Sequence, residues 1–353
     1  MTEQISATES RIARWWLKVG DLFRRDPAVS GKRWRVKLSL IVLAIILVPM
    51  LFVSWYWSRE PKPLWVNESP APGVRVAGFS TVDTLIRVTS TLLDKPGGYL
   101  RNDLMPPGWL LDNIPAWEYG VIVQVRDLAK VMRNDYSRSQ SQSVEDDDLS
   151  EAEPLLNFDA SSWILPSTEG EYKKAIGHLV LFRARLIDER SHDAQFYARA
   201  DNLREWLGVV EKRLGSLTQR LTASVGQTRV NVDLAGERAA EQSTPGQPDV
   251  TVKTPWLELD DVFFESRGAA WALIAFMRAA EFDFQDVLRD KNATVSLRQI
   301  IRELEASQQP LRSPMVLNGR GFGLFPNHSL VMATYLARAN AAVINLRELL
   351  SQG

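Results

Sequence analysis

The side chains that most often carry catalysis are sparse in this chain of 353 residues, which has three histidines and no cysteine. His178, His192 and His328 are widely separated, and no two have the four-residue spacing of a helical zinc site. The lack of cysteine excludes thiol catalysis, cysteine-bound metals and disulfide bonds. No G-x-S-x-G motif is present. The sequence therefore predicts no catalytic residues, no cofactor and no metal site, and it favours a binding role over an enzymatic one.

The most suggestive polar groups lie in the glycine-rich segment 313–328. Gly319, Gly321 and Gly323 precede a predicted helix, as in phosphate-binding loops, but no preceding strand or Walker lysine accompanies them. An apolar loop of this kind either plugs the core or recognises a ligand, and both alternatives are open. The candidate ligand or partner residues are Asn318, Arg320, Phe322, Phe325, Asn327 and His328. Asn327 is also a suitable cap for the helix predicted from His328.

These candidates follow an uncharged stretch near the N-terminus that predicts a membrane anchor. Leu38–Trp57 has twenty residues, which as a helix span the roughly 30 Å hydrocarbon core of a bilayer. Trp55, Tyr56 and Trp57 end the stretch as an interfacial aromatic belt does. The apolar run is too long for a typical cleaved signal peptide, so we expect an uncleaved single span.

Residues 1–37 carry nine lysines and arginines against four acids, which places the N-terminus in the cytoplasm and exports the body. Their spacing predicts a basic amphipathic arm lying on anionic lipids, although a partner-binding helix has the same pattern. The expected membrane-surface residues are Arg11, Arg14, Trp15, Trp16, Lys18 and Phe23.

After the span the pattern is helical. The proline-rich segment 58–78 predicts an extended spacer, and residues 79–353 predict a bundle of long helices. Two polar segments, near 137–160 and 226–255, predict mobile linkers. The first of these carries six acids, from Glu145 to Glu153, without EF-hand spacing. Because strand patterns are scarce, the predicted fold class is all-α, with an N-terminal transmembrane helix followed by a multi-helix bundle.

Two regions of the body predict how its core is packed. Residues 169–223 lack proline, and apolar residues from Leu203 to Leu221 follow the alternating spacing of an a/d seam. The seam predicts packing within the bundle or, alternatively, a homo-oligomer, and one helix or two would fit this region. The uncharged run Gly268–Met277 is too short to span a membrane and predicts a buried core helix.

Three segments resemble the bacterial DUF2333 family, a domain of unknown function. They are TPWLELDDVFFESRGAAWAL, FYARADNLREWLGVVEKRLGSLTQRL and the C-terminal run that begins SPMVLNGRGFGLFPNH. The resemblance implies a proteobacterial single-anchor protein of the inner membrane, and it supplies no activity or catalytic residues. With an acidic body, which gives no reason to expect nucleic acid binding, the sequence predicts an exported domain that binds an envelope protein. The alternative is an envelope enzyme or lipid-binding module that uses the 313–328 loop.

Overall fold

The computed structural model describes residues 31–71, 73–138, 144–188, 193–230, 249–313, 315–319 and 323–352. The chain divides into two compact units, residues 1–56 and 57–353. The described part of the first unit belongs to helix α1 (Gly31–Trp57), which includes Pro49. Within α1, Trp34–Trp57 is long and apolar enough to cross a membrane, and it contains the predicted uncharged stretch Leu38–Trp57.

The predicted membrane-surface arm lies outside the described residues. This applies to Arg11, Arg14, Trp15, Trp16, Lys18 and Phe23.

The second unit contains nine α-helices and one small hairpin among its described residues, which confirms the all-α class. The helices are α2 (Phe79–Asp94), α3 (Asn113–Val131), α4 (Asp147–Leu156), α5 (Thr168–Ile187), α6 (Ala200–Thr222), α7 (Leu259–Asp283), α8 (Gln285–Asp290), α9 (Thr294–Ser307) and α10 (His328–Ser351). A π-helical turn, Met132–Tyr136, extends α3. Strands β1 (Gln227–Val230) and β2 (Asp249–Val252) pair antiparallel, with Gln227 opposite Val252.

Helix α7 is the centre of the core, as its run of small residues predicts. It packs against α2, α3 and α9 and is buried along most of its length. At the crossing with α3, a Cβ added to Gly268 would overlap the carbonyl of Trp117, and one added to Gly120 would overlap that of Glu265. Only glycine allows the two backbones to approach this closely.

The a/d seam of α6 is occupied within the chain. Every seam residue from Leu203 to Leu221 is buried, and α6 packs mainly against α10. The predicted helical region 169–223 consists of two helices, α5 and α6, which answers the question that its pattern left open. The surface proposed for a homo-oligomer is therefore already covered by α10 in this structure.

Helices α3 and α7 run in the same direction and α2 runs against them. The rings of Tyr136 and Phe284, which follow α3 and α7, are 5.3 Å apart. The Thr81 amide, at the start of α2, donates to Asp283 at the end of α7 over 2.7 Å. Lys95, just after α2, pairs with Glu118 in the second turn of α3 at 2.6 Å. We call the end at which α3 and α7 begin the near end, and the opposite one the far end.

The other helices alternate between these two ends. Helix α6 begins at the far end, where Asn202 donates to the Asp135 carbonyl over 3.0 Å. It ends at the near end, where Arg220 pairs with Glu265. Helix α9 ends at the near end, where its Ser307 carbonyl accepts from Arg267. Helix α10 starts there, with the His328 ring 6.4 Å from that of Phe263. Four connections therefore share the near end: 95–112, 157–167, 223–258 and 308–327.

The acidic segment contains an ordered helix, so the predicted mobile linker over 137–160 is wrong for its described part from residue 144 onward. Helix α4 buries Leu149 and Leu156 in the core. Four of the six acids in 145–153 have arginine partners: Arg133 binds Glu145 and Glu153 at 2.7 and 2.9 Å, and Arg185 binds Asp146 and Asp148. These partners come from neighbouring helices, so local composition does not reveal them. In the second predicted linker, 226–255, residues 227–230 and 249–252 form the hairpin and residues 231–248 lie outside the described chain.

The proline-rich segment that follows α1 is predicted as an extended spacer over 58–78, but its residues 60–68 are docked on the body. Glu60 forms two bonds with Arg267, of 2.7 and 2.6 Å, and the Lys62 carbonyl accepts from Trp271 over 3.2 Å. Farther along, Asn67 donates to Asp83 over 2.8 Å. We call residues 60–68 the strap; it passes along α7 from the near end toward the far end.

Candidate functional site

The 313–328 loop is closed at its base by hydrogen bonds, and most of its described polar candidates serve that purpose. Asn318 and Asn327 form an antiparallel bridge. The Asn327 amide donates to the Gly319 carbonyl over 2.7 Å, and its oxygen accepts from the Leu330 amide over 2.8 Å. The second bond caps α10 and confirms the predicted N-cap.

His328 completes this base through its backbone and its ring. Its amide donates to the Leu317 carbonyl over 2.8 Å, and Nδ1 accepts from the Leu317 amide over 3.0 Å. The ring is therefore neutral and protonated on Nε2 in this arrangement. Burial lowers the pKa of His328, which favours the same neutral form.

The described tip of the loop points away from the core. Leu324 is fully exposed and Phe325 is 70% exposed, while Asn327 at the base is buried. The described tip therefore does not plug the core. Of the sequence candidates, Asn318, Asn327 and His328 meet at the base and Phe325 lies at the tip, whereas Arg320 and Phe322 lie outside the described residues.

An open cleft of about 350 Å³ lies beside the loop base. Its walls combine apolar and cationic groups from α7, α10 and the segment after α9. They are formed by residues that include Phe263, Arg267, Leu311, Arg312, His328 and Tyr335. Arg267 is held by Glu60 and by the Gln309 carbonyl at 2.9 Å, so it is a fixed wall, whereas Arg312 is exposed at the surface. Such a mixture suits an amphiphile with an anionic group.

The chemistry available at this site is recognition by shape, apolar contact and charge. His328 has its Nδ1 committed to the backbone, which leaves one ring N–H to donate. Elsewhere, His178 lies 3.3 Å from Asp148 on the bundle, and His192 is outside the described residues. Among the residues that the structure describes, no cluster of three or more histidine or acidic side chains is suited to hold a metal.

Two further near-end loops present apolar side chains that the sequence analysis did not single out. Trp109 and Leu110 are exposed in the 95–112 loop, and Ile164 and Leu165 are exposed in the 157–167 loop. The local signal is a cluster of large apolar residues beside prolines, in LMPPGWLL and WILP. Sequence alone could not decide whether such clusters fill the core or face outward.

Hydrogen bonds join these two loops. The Asn102 amide donates to the Ser162 carbonyl over 2.8 Å, and the Tyr99 hydroxyl donates to the Ala160 carbonyl over 2.8 Å. At the start of α7, burial and the neighbouring Asp260 raise the pKa of Asp261 to about 6, and Asp112 adds to the effect. The near end therefore joins exposed apolar loops to an acidic patch.

Comparison with known families identifies the chain. A family model described as an uncharacterized protein conserved in bacteria, DUF2333, matches residues 28–353. The chain belongs to the DUF2333 family. No curated protein and no solved structure matches it. The DUF2333 match covers the near-end loops, the cleft and the strap, and it confirms the resemblance found in the sequence.

Proposed function

We propose that this DUF2333 protein is a single-pass inner-membrane protein whose helical body is exported and binds another component of the cell envelope. The observation that carries the proposal is the 313–328 loop, whose hydrogen-bonded base presents Leu324 and Phe325 to solvent beside an open cleft. An exposed apolar tip on a hydrogen-bonded base is typical of a contact surface. The basic residues that precede the uncharged stretch, among them Lys32, Arg33, Arg35 and Lys37, support a cytoplasmic N-terminus and a periplasmic body.

Topology is tested by fusing alkaline phosphatase or a fluorescent protein to the C-terminus in bacteria. We expect active phosphatase and a dark fluorophore, because only an exported body folds the first and silences the second. The reverse result would place the body in the cytoplasm and reject this part of the proposal.

The contact surface is tested by photocrosslinking in cells. Phe325, and as a control the equally exposed Val295 at the far end, are each replaced with p-benzoyl-phenylalanine in the full chain. We expect an adduct with an envelope component, either protein or lipid, from position 325 and none from position 295. Identical patterns from both positions would show that the loop has no special partner.

The second candidate function is a lipid-binding module, with or without an enzymatic step. The cleft favours it, since the exposed Arg312 lies beside the apolar and aromatic side chains of Phe263, Leu311 and Tyr335. Binding of an anionic lipid by the purified full chain, reduced by Arg312→Ala, would support this candidate. Turnover of lipid or muropeptide would extend it to an enzyme.

A further inference from the structure

The exposed apolar side chains of the body are concentrated at one end of the bundle. The near-end loops expose Met105, Trp109, Leu165, Trp256, Leu324 and Phe325, each by more than 60%. Outside these loops, the large apolar residues of the described body that are exposed by more than 60% are Trp65, on the strap, and the smaller Val144 and Val295 at the far end. A soluble surface has no need of this asymmetry, and a large exposed apolar patch marks an interaction site.

The near-end loops hold these side chains in place. The bonds from Asn102 to Ser162 and from Tyr99 to Ala160 join the first two loops into one surface. The buried Glu118 carboxylate accepts from the Leu100 and Arg101 amides at 2.8–3.1 Å, which fixes the start of the 95–112 loop. Because the loops are braced from within, their apolar tips cannot fold back into the core.

The chain enters the body at this same end. Trp57, where the second unit begins, lies against Gly97 so closely that a Cβ at Gly97 would come within 2.8 Å of its ring. Gly97 has a φ of +87°, which favours glycine at this contact. Because Trp57 is also the last residue of the apolar stretch Trp34–Trp57, the near end is the part of the body next to the point where the chain would leave the bilayer.

The chemistry of the patch fits the interfacial layer of a bilayer. Trp109, Trp163 and Trp256 are all exposed there, and tryptophan is enriched where one face is apolar and the other is wet. The charged groups there include Asp112, Asp260 and Asp261 as well as Arg101 and the exposed Arg312, so the patch does not have a single sign and attraction to anionic headgroups is not the main driving force. Contact would depend on apolar insertion and would be insensitive to salt.

We infer that the near end is a second membrane contact, at which the apolar tips of the loops enter the surface of the bilayer crossed by α1. The inference rests on the proposed anchoring and gives the envelope component a chemical identity, a lipid surface. It also explains why the exposed tip of the 313–328 loop and the cleft face the same side as the two loops that sequence analysis missed.

The absence of cysteine makes a direct test possible. Single variants Trp109→Cys, Leu165→Cys and Leu324→Cys of the full chain are labelled with the fluorophore NBD and reconstituted in phosphatidylethanolamine–phosphatidylglycerol vesicles. Val144→Cys and Val295→Cys serve as far-end controls, and Val48→Cys reports on α1. We expect blue-shifted emission and quenching by doxyl-labelled lipids at the three near-end positions, unchanged by high salt, and neither effect at the far end.

Each outcome decides between separate claims. A quenched Val48 label with unquenched near-end labels would overturn the inference while leaving the anchor intact. An unquenched Val48 label would instead reject the anchor and with it the proposed function. Blue-shifted near-end labels without lipid quenching, growing with protein density in the vesicles, would assign the surface to a second copy and reject the bilayer. Adding Leu165→Glu to the Trp109→Cys chain should weaken quenching, since it places a charge beside the inserted tip.

Discussion

Lys95 and Glu118 form an ion pair that is closed off from solvent, with side-chain exposures of 1% and 0%. The Lys95 ammonium also donates to the Gly98 carbonyl over 2.6 Å, and Glu118 accepts from two backbone amides. A buried charge is tolerable only when its partner and hydrogen bonds are complete. This pair fixes the connection between α2 and α3 and therefore the position of the first near-end loop.

Removal of one charge from this pair should be more damaging than removal of both. We expect Glu118→Gln to lower the free energy of unfolding by about 3 kcal/mol, because it leaves the Lys95 ammonium buried without a counterion. The double variant Glu118→Gln with Lys95→Met keeps an acceptor for the backbone amides and should recover part of this loss. Chemical denaturation of the full chain in detergent micelles measures both, and an equal or larger loss in the double variant would contradict the argument.

His328 should make the base of the 313–328 loop sensitive to pH. Burial lowers its pKa in the folded chain, so the unfolded state binds the proton more readily. The contribution of His328 to loop closure is therefore complete above the unfolded pKa of about 6.5 and declines as the pH falls toward the folded pKa.

Hydrogen exchange at the Leu317 amide tests this, with rates corrected for the intrinsic effect of pH. We expect stronger protection at pH 7.5 than at pH 5.5. His328→Asn is the matched control, because its side-chain oxygen can replace Nδ1 as the acceptor and does not titrate. Equal pH dependence in both chains would disprove the role of His328.

At the level of elements, the crossing of α3 and α7 depends on two glycines. In Gly268→Ala the new methyl group would collide with the Trp117 carbonyl, a backbone atom that cannot move alone. We expect a loss of about 1–3 kcal/mol in the free energy of unfolding, as for other overpacked cores.

Gly177 in α5 is the matched control, since a Cβ there would meet nothing within 4 Å. Gly177→Ala should stabilise the chain by about 0.5–1 kcal/mol, because alanine loses less backbone entropy in a helix. Thermal unfolding of the two variants separates the cases. If both shift the melting temperature upward, the close approach of α3 and α7 is not limiting.

The elements that the sequence predicts correctly are those whose signal is local and periodic. Leu203–Leu221 has the a/d spacing of a packed helix, and the small residues of Gly268–Met277 indicate close helix contacts. Asn327 precedes an apolar run and is a recognisable cap. In each case the residue type and its neighbours in sequence are enough to predict the local structure.

The predictions that were wrong concern segments whose partners are distant in sequence. The acids of residues 145–153 predict a mobile linker, but Arg133 and Arg185 pair with four of them from other helices. The prolines after α1 predict a spacer, but Glu60 in this segment forms an ion pair with Arg267, which is 207 positions away in the sequence. Exposure of the 313–328 tip likewise depends on which core positions other elements have already filled.

For the molecule as a whole, the up-and-down order of the helices sorts the connections by chemistry. Connections at the near end carry tryptophan, leucine and phenylalanine, while the far end holds arginine–carboxylate pairs such as those of Arg133 and Arg185. The exposed apolar residues at the near end and the ion pairs at the far end both lie outside the core. Exchanging a few of them between the two ends would therefore not change the fold. This sorting is the pattern that the membrane contact inferred above predicts, since tryptophan favours a lipid surface and ion pairs favour water.

The strap, which follows α1, is attached to the body through the ion pair between Glu60 and Arg267. Glu60→Ala would leave the mostly buried Arg267 guanidinium without a carboxylate, so we expect a loss of about 2 kcal/mol in the free energy of unfolding. The amides of residues 60–68 should also exchange faster, because the anchored start of the strap would be released. Asp286→Ala is the control, since it removes only exposed ion pairs and should change stability by less than about 0.5 kcal/mol. If Glu60→Ala behaves like this control, the strap lies on the body without stabilising it.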